Sequence, residues 1–332
     1  MNEAQRPPLP DQAFAGAAQG NGKMHGIGYF DQPLLKQPHW GWEVVSYLFL
    51  GGMMGGSGVL AALAQRSEDE PLERTSRYLS MALALACPAV LISHLGRPER
   101  FLNMLRVVKF KSPMSMGVWG LIGYSGFAGL NAAAQLSRDN IIPGWIERLE
   151  PKPVTVVMQA MFGAFTAGYT GVLLSATANP LWAKGKTHIP IISVCSAISG
   201  ACALNAIALC ADERGGAAQV KLERLEACAA VFELAALLHF RVHAGAVGKP
   251  MFEGPRGERL RNWTIGAGIL APLALNAVSL LTRKHRKRPS LLRTLVACGL
   301  VLAGGYILRE TLIEAGKASA GDPSQAFDQR ND

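Results

Sequence analysis

Charge along this chain is confined to short intervals, and between them run apolar stretches of a recurring length. No Asp, Glu, Lys or Arg falls between Glu43 and Arg66, Lys111 and Arg138, Lys152 and Lys184, His188 and Asp212, or Arg261 and Arg283. Each interval meets the roughly 20 residues a helix needs to cross about 30 Å of hydrocarbon. Three further runs are weaker. Tyr78 to Leu95 is shorter and carries only His94; Leu225 to Phe240 is broken by Glu226, Glu233 and His239; Leu291 to Ile313 has an uncharged centre from Thr294 to Leu308. Soluble helices that are apolar all round do not recur at this length with charge held to the gaps. The pattern predicts an all-α membrane protein of eight transmembrane helices, expected to pack as two four-helix bundles. Residues 1–39 read as an irregular soluble tail, 40–316 as the membrane domain and 317–332 as a disordered C-terminal tail.

Composition narrows the function. The formal net charge is +9, yet the cations sit in loops and no basic globular domain exists to present a nucleic-acid surface, so membrane topology and acidic partner surfaces explain them better. An even number of spans puts both tails on one side, here side A, with the loops after spans 2, 4 and 6. Lys and Arg are nearly balanced between the two sides. The densest short cluster, Arg283 to Arg288, lies on side B, which places side B in the cytoplasm and both tails in the periplasm of a bacterial inner membrane. The N-terminal segment lacks the charged start and apolar core of a cleaved signal.

The six cysteines all fall within predicted spans and none forms a C-x-x-C pair. Iron–sulfur and zinc sites need grouped thiolates, so none is expected in this chain, and the cysteines read as buried free thiols. Paired histidines on facing helices at two depths, as a dihaem cytochrome needs, are also missing from the seven present. Small residues mark helix contacts. "GGMMGGSG" sets Gly51 against Gly55 and Gly52 against Gly56, and the fourth span carries Gly163, Gly168 and Gly171.

Ionisable and hydroxyl groups within lipid are costly and therefore candidate functional residues. Alternation of the spans brings Glu43 and Tyr47, His94, Tyr169, His239 and His243, and Arg309 and Glu310 to side A on five separate helices. Each has a plainer reading. Tyr47 suits an interfacial aromatic belt, and Glu43 suits a helix-start acid favoured by the dipole. Tyr169 lies deeper, where a belt role is less natural. Glu233 sits mid-span, as a structural hydrogen-bonding group or a step in a proton path. His239 and His243 are spaced i, i+4, which suits metal ligation, though a snorkelling cluster beside Arg241 fits better.

Three stretches together resemble a known family: "HLGRPERFLNMLRVVKFKSPMSMGVWGL" (94–121), "AGYTGVLLSATANPLW" (167–182) and "YLFLGGMMGGSG" (47–58), with "GGYILRETLIEAG" (304–316) similar to its last helix. The resemblance is to the polysulfide reductase NrfD family, integral membrane subunits of molybdopterin oxidoreductase complexes. It implies no metal or haem in this chain, and a quinone site near the membrane face on which an iron–sulfur partner docks. Tyr169 matches the family's quinone tyrosine. Glu43 and Tyr47 stand where the family shows Asn and His, and His94 replaces a common Asp, turning a carboxylate proton acceptor into an imidazole.

The expected function is a quinone-reactive anchor that passes electrons between menaquinone or ubiquinone and a ferredoxin-like iron–sulfur subunit, which serves a molybdopterin catalytic subunit. Tyr169, His94, Glu43 and Tyr47 are the expected headgroup residues, Glu233 and His94 the proton path, and Arg97, Arg100 and Arg106 the docking cations. Two alternatives stand beside it: a proton- or ion-translocating subunit, favoured by Glu233, and a structural anchor without quinone chemistry.

Overall fold

A computed structural model of the chain describes residues 38, 40–94, 99, 106, 108–142, 153–282 and 290–321. Every element is helical, and no strand occurs among the described residues. The long helices are α1 (Trp42–Arg66), α2 (Glu70–His94), α3 (Pro113–Arg138), α4 (Pro153–Ser175), α5 (His188–Leu209) and α6 (Gly216–Ala244). Then come α7, a π-helical stretch Leu260–Leu270 that continues as Ala271–Thr282, and α8 (Leu291–Gly321).

Five of these are long and apolar enough to cross a membrane: α1, α2, α4, α5 and α8. The other three differ for visible reasons. Gly, Ser and Asn dilute α3, Glu223, Glu226 and Glu233 interrupt α6, and α7 is divided between two helical forms. The exterior is apolar in the manner of a multi-pass membrane protein: Leu63 on α1, Leu85 on α2, Leu130 on α3, Met161 on α4, Phe232 on α6 and Val296 on α8 all point outward.

Local sequence explains the helix ends. Ser112 caps α3 by accepting from the Ser115 N–H, with Pro113 in the first turn where a missing N–H costs nothing. The "SPMS" motif is therefore a helix start. α6 stops at Gly245, whose φ of +52° suits glycine.

α1 is the central helix. It packs against α2, α4, α5 and α8, while α3 bridges α2 and α4 on one flank. On the other flank α5 packs on α6 and α8, and α7 lies against α6 and α8. Glycines make the closest crossings. A Cβ at Gly55 would strike the Gly163 carbonyl of α4, and Cβ atoms at Gly52 and Gly56 would press on Ala197 and Ala201 of α5. The small-residue expectation thus holds on two faces of α1, except at Gly51, which meets open space.

Buried polar pairs add register. Asn205 of α5 accepts from Ser76 of α2 at 2.8 Å and donates to Ser57 of α1 at 3.1 Å. Asn131 of α3 donates to Gln159 of α4 at 2.6 Å. At the end where α2 begins and α3 stops, Arg77 pairs with Glu73 at 2.6 Å and Arg74 with Asp139 at 2.7 Å. Burial pushes the Asp139 carboxyl up, but hydrogen bonds from Tyr78, Arg74 and Gln135 outweigh it and hold the group below its usual range.

The cysteine expectation needs one correction. All six are free, but only Cys87, Cys202 and Cys298 are buried; Cys195 and Cys210 are half-buried, and Cys228 is exposed. Cys228 lies on the outer surface of α6, where an apolar exterior accepts a thiol as readily as a core does.

Candidate functional site

Tyr169 sits in the last third of α4 and is 6% exposed. Its ring lies over Gly117, where any Cβ would collide with it, and tilts against Phe165 with centroids 5.9 Å apart. The hydroxyl donates to the Pro113 carbonyl at 3.2 Å, in the first turn of α3. Val44, Val45 and Leu48 of α1 and Ile313 of α8 complete its apolar surround, with Tyr47 and Tyr306 packed against it. Tyr47 also packs against the cluster that holds Met54, Cys87 and Tyr124. The expected pairing of Tyr169 with Tyr47 is therefore a shared packing site.

Beside this site, α3 and α4 leave an apolar groove of about 570 Å³. Phe165, Met116 and Gly120 lie along it, as do Trp119, Met158 and Phe162. Phe165 lines the groove and its ring also contacts Tyr169, so this one side chain stands between the two.

The other expected residues disperse. Glu43, one turn before Tyr47, is half-buried, and its carboxylate folds back over Gly41, the N-cap of α1. That is the posture of a helix-start acid. His94 ends α2, but its side chain lies outside the described residues, as do Arg97 and Arg100; Arg106 is exposed ahead of α3.

Glu233 is 3% exposed and faces α8, not α4. Its neighbours are Ser196 of α5 and Arg309 of α8. Arg309 is itself 2% exposed. Its guanidinium donates to Ser196 at 2.5 Å and to the Gly305 carbonyl at 3.0 Å, and it stands over the Phe49 ring at 5.6 Å. Sequence reasoning put Arg309 at the membrane face because it begins the charge after the last apolar run. Helix α8 in fact continues to Gly321, so Arg309 lies inside the assembly.

Three features escaped sequence reasoning. First, "NPLW" is a clamp: in and before the short helix Pro180–Lys184, Asn179 donates to the Gly316 carbonyl at 2.6 Å and Trp182 to the Leu312 carbonyl at 3.0 Å. Trp40 stacks on Trp182 at 5.3 Å. Second, His188 joins the His239 and His243 pair, with Nε2 2.7 Å from His239 Nδ1 and ring centroids 4.9 Å from each. His188 and His239 thus share a hydrogen bond between ring nitrogens, and no metal-holding group of ligands occurs among the described residues. Third, Glu226 is buried and takes a hydrogen bond from Asn276 of α7 at 2.9 Å. Its seven-residue spacing from Glu233, two turns on one face, was the available signal.

The family model described as "Polysulphide reductase, NrfD" matches residues 34–320. "Protein NrfD" of Escherichia coli (strain K12) is 26% identical over 307 residues, which covers 84% of this chain and 95% of that protein.

Proposed function

The chain belongs to the NrfD polysulphide reductase family, membrane subunits of oxidoreductase complexes, and from that premise we propose that it is the quinone-reactive anchor of such a complex. In this reading it exchanges electrons between quinone in the bilayer and an iron–sulfur subunit serving a molybdopterin catalytic subunit. The carrying observation is the buried Tyr169, whose hydroxyl donates to the Pro113 carbonyl and whose ring contacts Phe165, a residue that also lines the apolar groove. A quinone needs a hydrogen-bond donor for its carbonyl and an apolar slot for its isoprenoid tail. The present acceptor of Tyr169, the Pro113 carbonyl, belongs to a helix start, where a small rotation of the hydroxyl trades one partner for the other.

α1 to α4 then form one four-helix bundle and α5 to α8 a second, joined through α1, with all eight helices crossing the membrane. The neighbour relations α1–α2–α3–α4 and α5–α6–α7–α8 support this. Tyr47 borders the headgroup, His94 exchanges protons at the membrane face and Glu233 supplies a path from the interior. Glu43 contributes less directly, because its carboxylate turns to its own helix start. Arg97, Arg100 and Arg106 present cations to an acidic surface of the iron–sulfur subunit. The membrane is the bacterial inner membrane, with both tails periplasmic.

Tyr169→Phe tests this. It keeps the ring that fills the space over Gly117 and removes one hydroxyl, so the fold is retained. The lost hydrogen bond is about 0.5–1.5 kcal/mol, and more as charge develops on the carbonyl. Quinone turnover in the assembled complex is expected to fall roughly 3- to 100-fold. Unchanged turnover would show Tyr169 to be a packing residue.

A further inference from the structure

Glu226 of α6 is a buried carboxylate to which the quinone reading gives no role. It is 5% exposed. One oxygen, Oε2, accepts from Asn276 of α7 at 2.9 Å, while the other, Oε1, is buried with no partner in the protein. Thr294, in the first turn of α8, is 4% exposed, and its hydroxyl is likewise buried and unpartnered. A helical threonine commonly satisfies its hydroxyl on a carbonyl one turn back, as Thr311 does on Ile307 at 2.8 Å. Thr294 does not.

Both groups line one cavity of about 20 Å³, enclosed by α5, α6, α7 and α8. Asn276 lines it too and brings an amide carbonyl, its Nδ2 being committed to Glu226. The cavity reaches the end of the assembly where α6 and α8 begin. There Glu223 and Arg293 form its lip, with 13% and 18% of their side chains exposed.

Charge limits what can sit inside. The ionisable side chains of the lining with settled charge are Glu223, Glu226 and Arg293. Glu223 and Arg293 pair at 2.6 Å and cancel, which leaves one carboxylate charge over. A lone carboxylate within lipid is costly until a proton or a cation neutralises it. Oε1 and the Thr294 hydroxyl do not bond to each other, so a proton alone would join neither to anything. A cation between them draws on both.

The ligand chemistry selects the ion. A cavity of this size takes about one occupant as large as a water molecule. Carboxylate, hydroxyl and amide oxygens suit a hard cation, and no group of three acidic, imidazole or thiol side chains able to hold a metal ion occurs among the described residues. A divalent ion would exchange one surplus negative charge for one surplus positive charge. Sodium carries the single charge that is needed and is smaller than potassium, so the few oxygens available can close on it.

We infer that α6, α7 and α8 hold a sodium ion between Glu226 Oε1 and the Thr294 hydroxyl, with Asn276 beside it, entered past the Glu223–Arg293 pair. The ion ties together three helices of the second half of the molecule. This site does not rest on the quinone reading.

The test uses the full chain in detergent, freed of sodium and kept at constant ionic strength with choline chloride. Added sodium should raise the thermal midpoint along a saturating curve, as a ligand of the folded state does, and an equal concentration of potassium should not. Glu226→Gln keeps the shape of the side chain and removes its charge, so it should fold and lose the response to sodium. Thr294→Val keeps the volume and should move the curve to about tenfold higher sodium. Equilibrium dialysis of the wild-type chain with radioactive sodium needs no variant to fold: binding should saturate and be displaced by unlabelled sodium but not by potassium. A midpoint indifferent to sodium, an equal rise with potassium, no displaceable sodium on the wild-type chain, or bound sodium retained by Glu226→Gln would each overturn the site and leave the cavity to a water beside a protonated carboxyl.

Discussion

Gly55 shows how much of this molecule depends on single atoms. A Cβ there would strike the Gly163 carbonyl of α4, whereas one at Gly51, one turn earlier, would meet nothing. Gly55→Ala should therefore force α1 and α4 apart and cost about 1–3 kcal/mol, as overpacking does. Gly51→Ala should be nearly neutral, and thermal unfolding in detergent reads the contrast. The sequence displayed both glycines in one repeating motif, but which of the repeats faces a neighbour is set by rotation about the helix axis, and composition carries no record of that. Tyr169 stands out in the sequence for a different reason: it lies inside an apolar run, where an interfacial belt role is less natural, and it is buried accordingly. Arg309 was misplaced because charge after an apolar run looks like an exit from lipid, while this helix goes on for three more turns with polar groups turned inward.

At the scale of helices, the end of the α2–α3 pair is held by charge. Asp139 accepts from Arg74, Tyr78 and Gln135, and those bonds keep its carboxyl below the usual range despite burial. A depressed value in the folded state means that this contribution is fully present above the unfolded value, near ~4, and fades as pH falls through the folded one. Hydrogen exchange at the start of α2 and the end of α3 should accelerate below about pH 4, and Asp139→Asn should show the faster exchange already at neutral pH. An unchanged acid profile in that variant would assign the effect to other carboxylates. Helix existence was legible from the apolar runs, and so was the helix start at "SPMS", since Ser and Pro have fixed positional chemistry. The π-helical stretch of α7 was not. It brings Gly268 against Gly304 and lets Thr264 donate to the Gly304 carbonyl at 3.1 Å, a tertiary demand that no local pattern announces.

For the molecule as a whole, the account predicts direction as well as position. The proposed quinone end is where α1 begins and α8 stops, and the opposite end is where α7 stops and α8 begins, on either side of the Arg283–Arg288 stretch of the sequence. A phosphatase reporter fused after the C-terminus should be active, as in the periplasm, and one placed in the 283–288 loop inactive; the reverse pattern would invert the vectorial chemistry while leaving the sites in place. The apolar groove was invisible in the sequence because it arises between α3, α4 and the segment just ahead of α3, from residues between 108 and 165 that individually look like ordinary apolar positions. It also supplies the most direct test of the central claim. A quinone carrying a photoreactive group on its isoprenoid tail, illuminated in membranes containing the assembled complex, is predicted to label Met116, Met158 or Phe162, with labelling suppressed by excess natural quinone and weakened in Tyr169→Phe. Labelling confined to other helices, or labelling that excess quinone does not suppress, would contradict a quinone site at Tyr169.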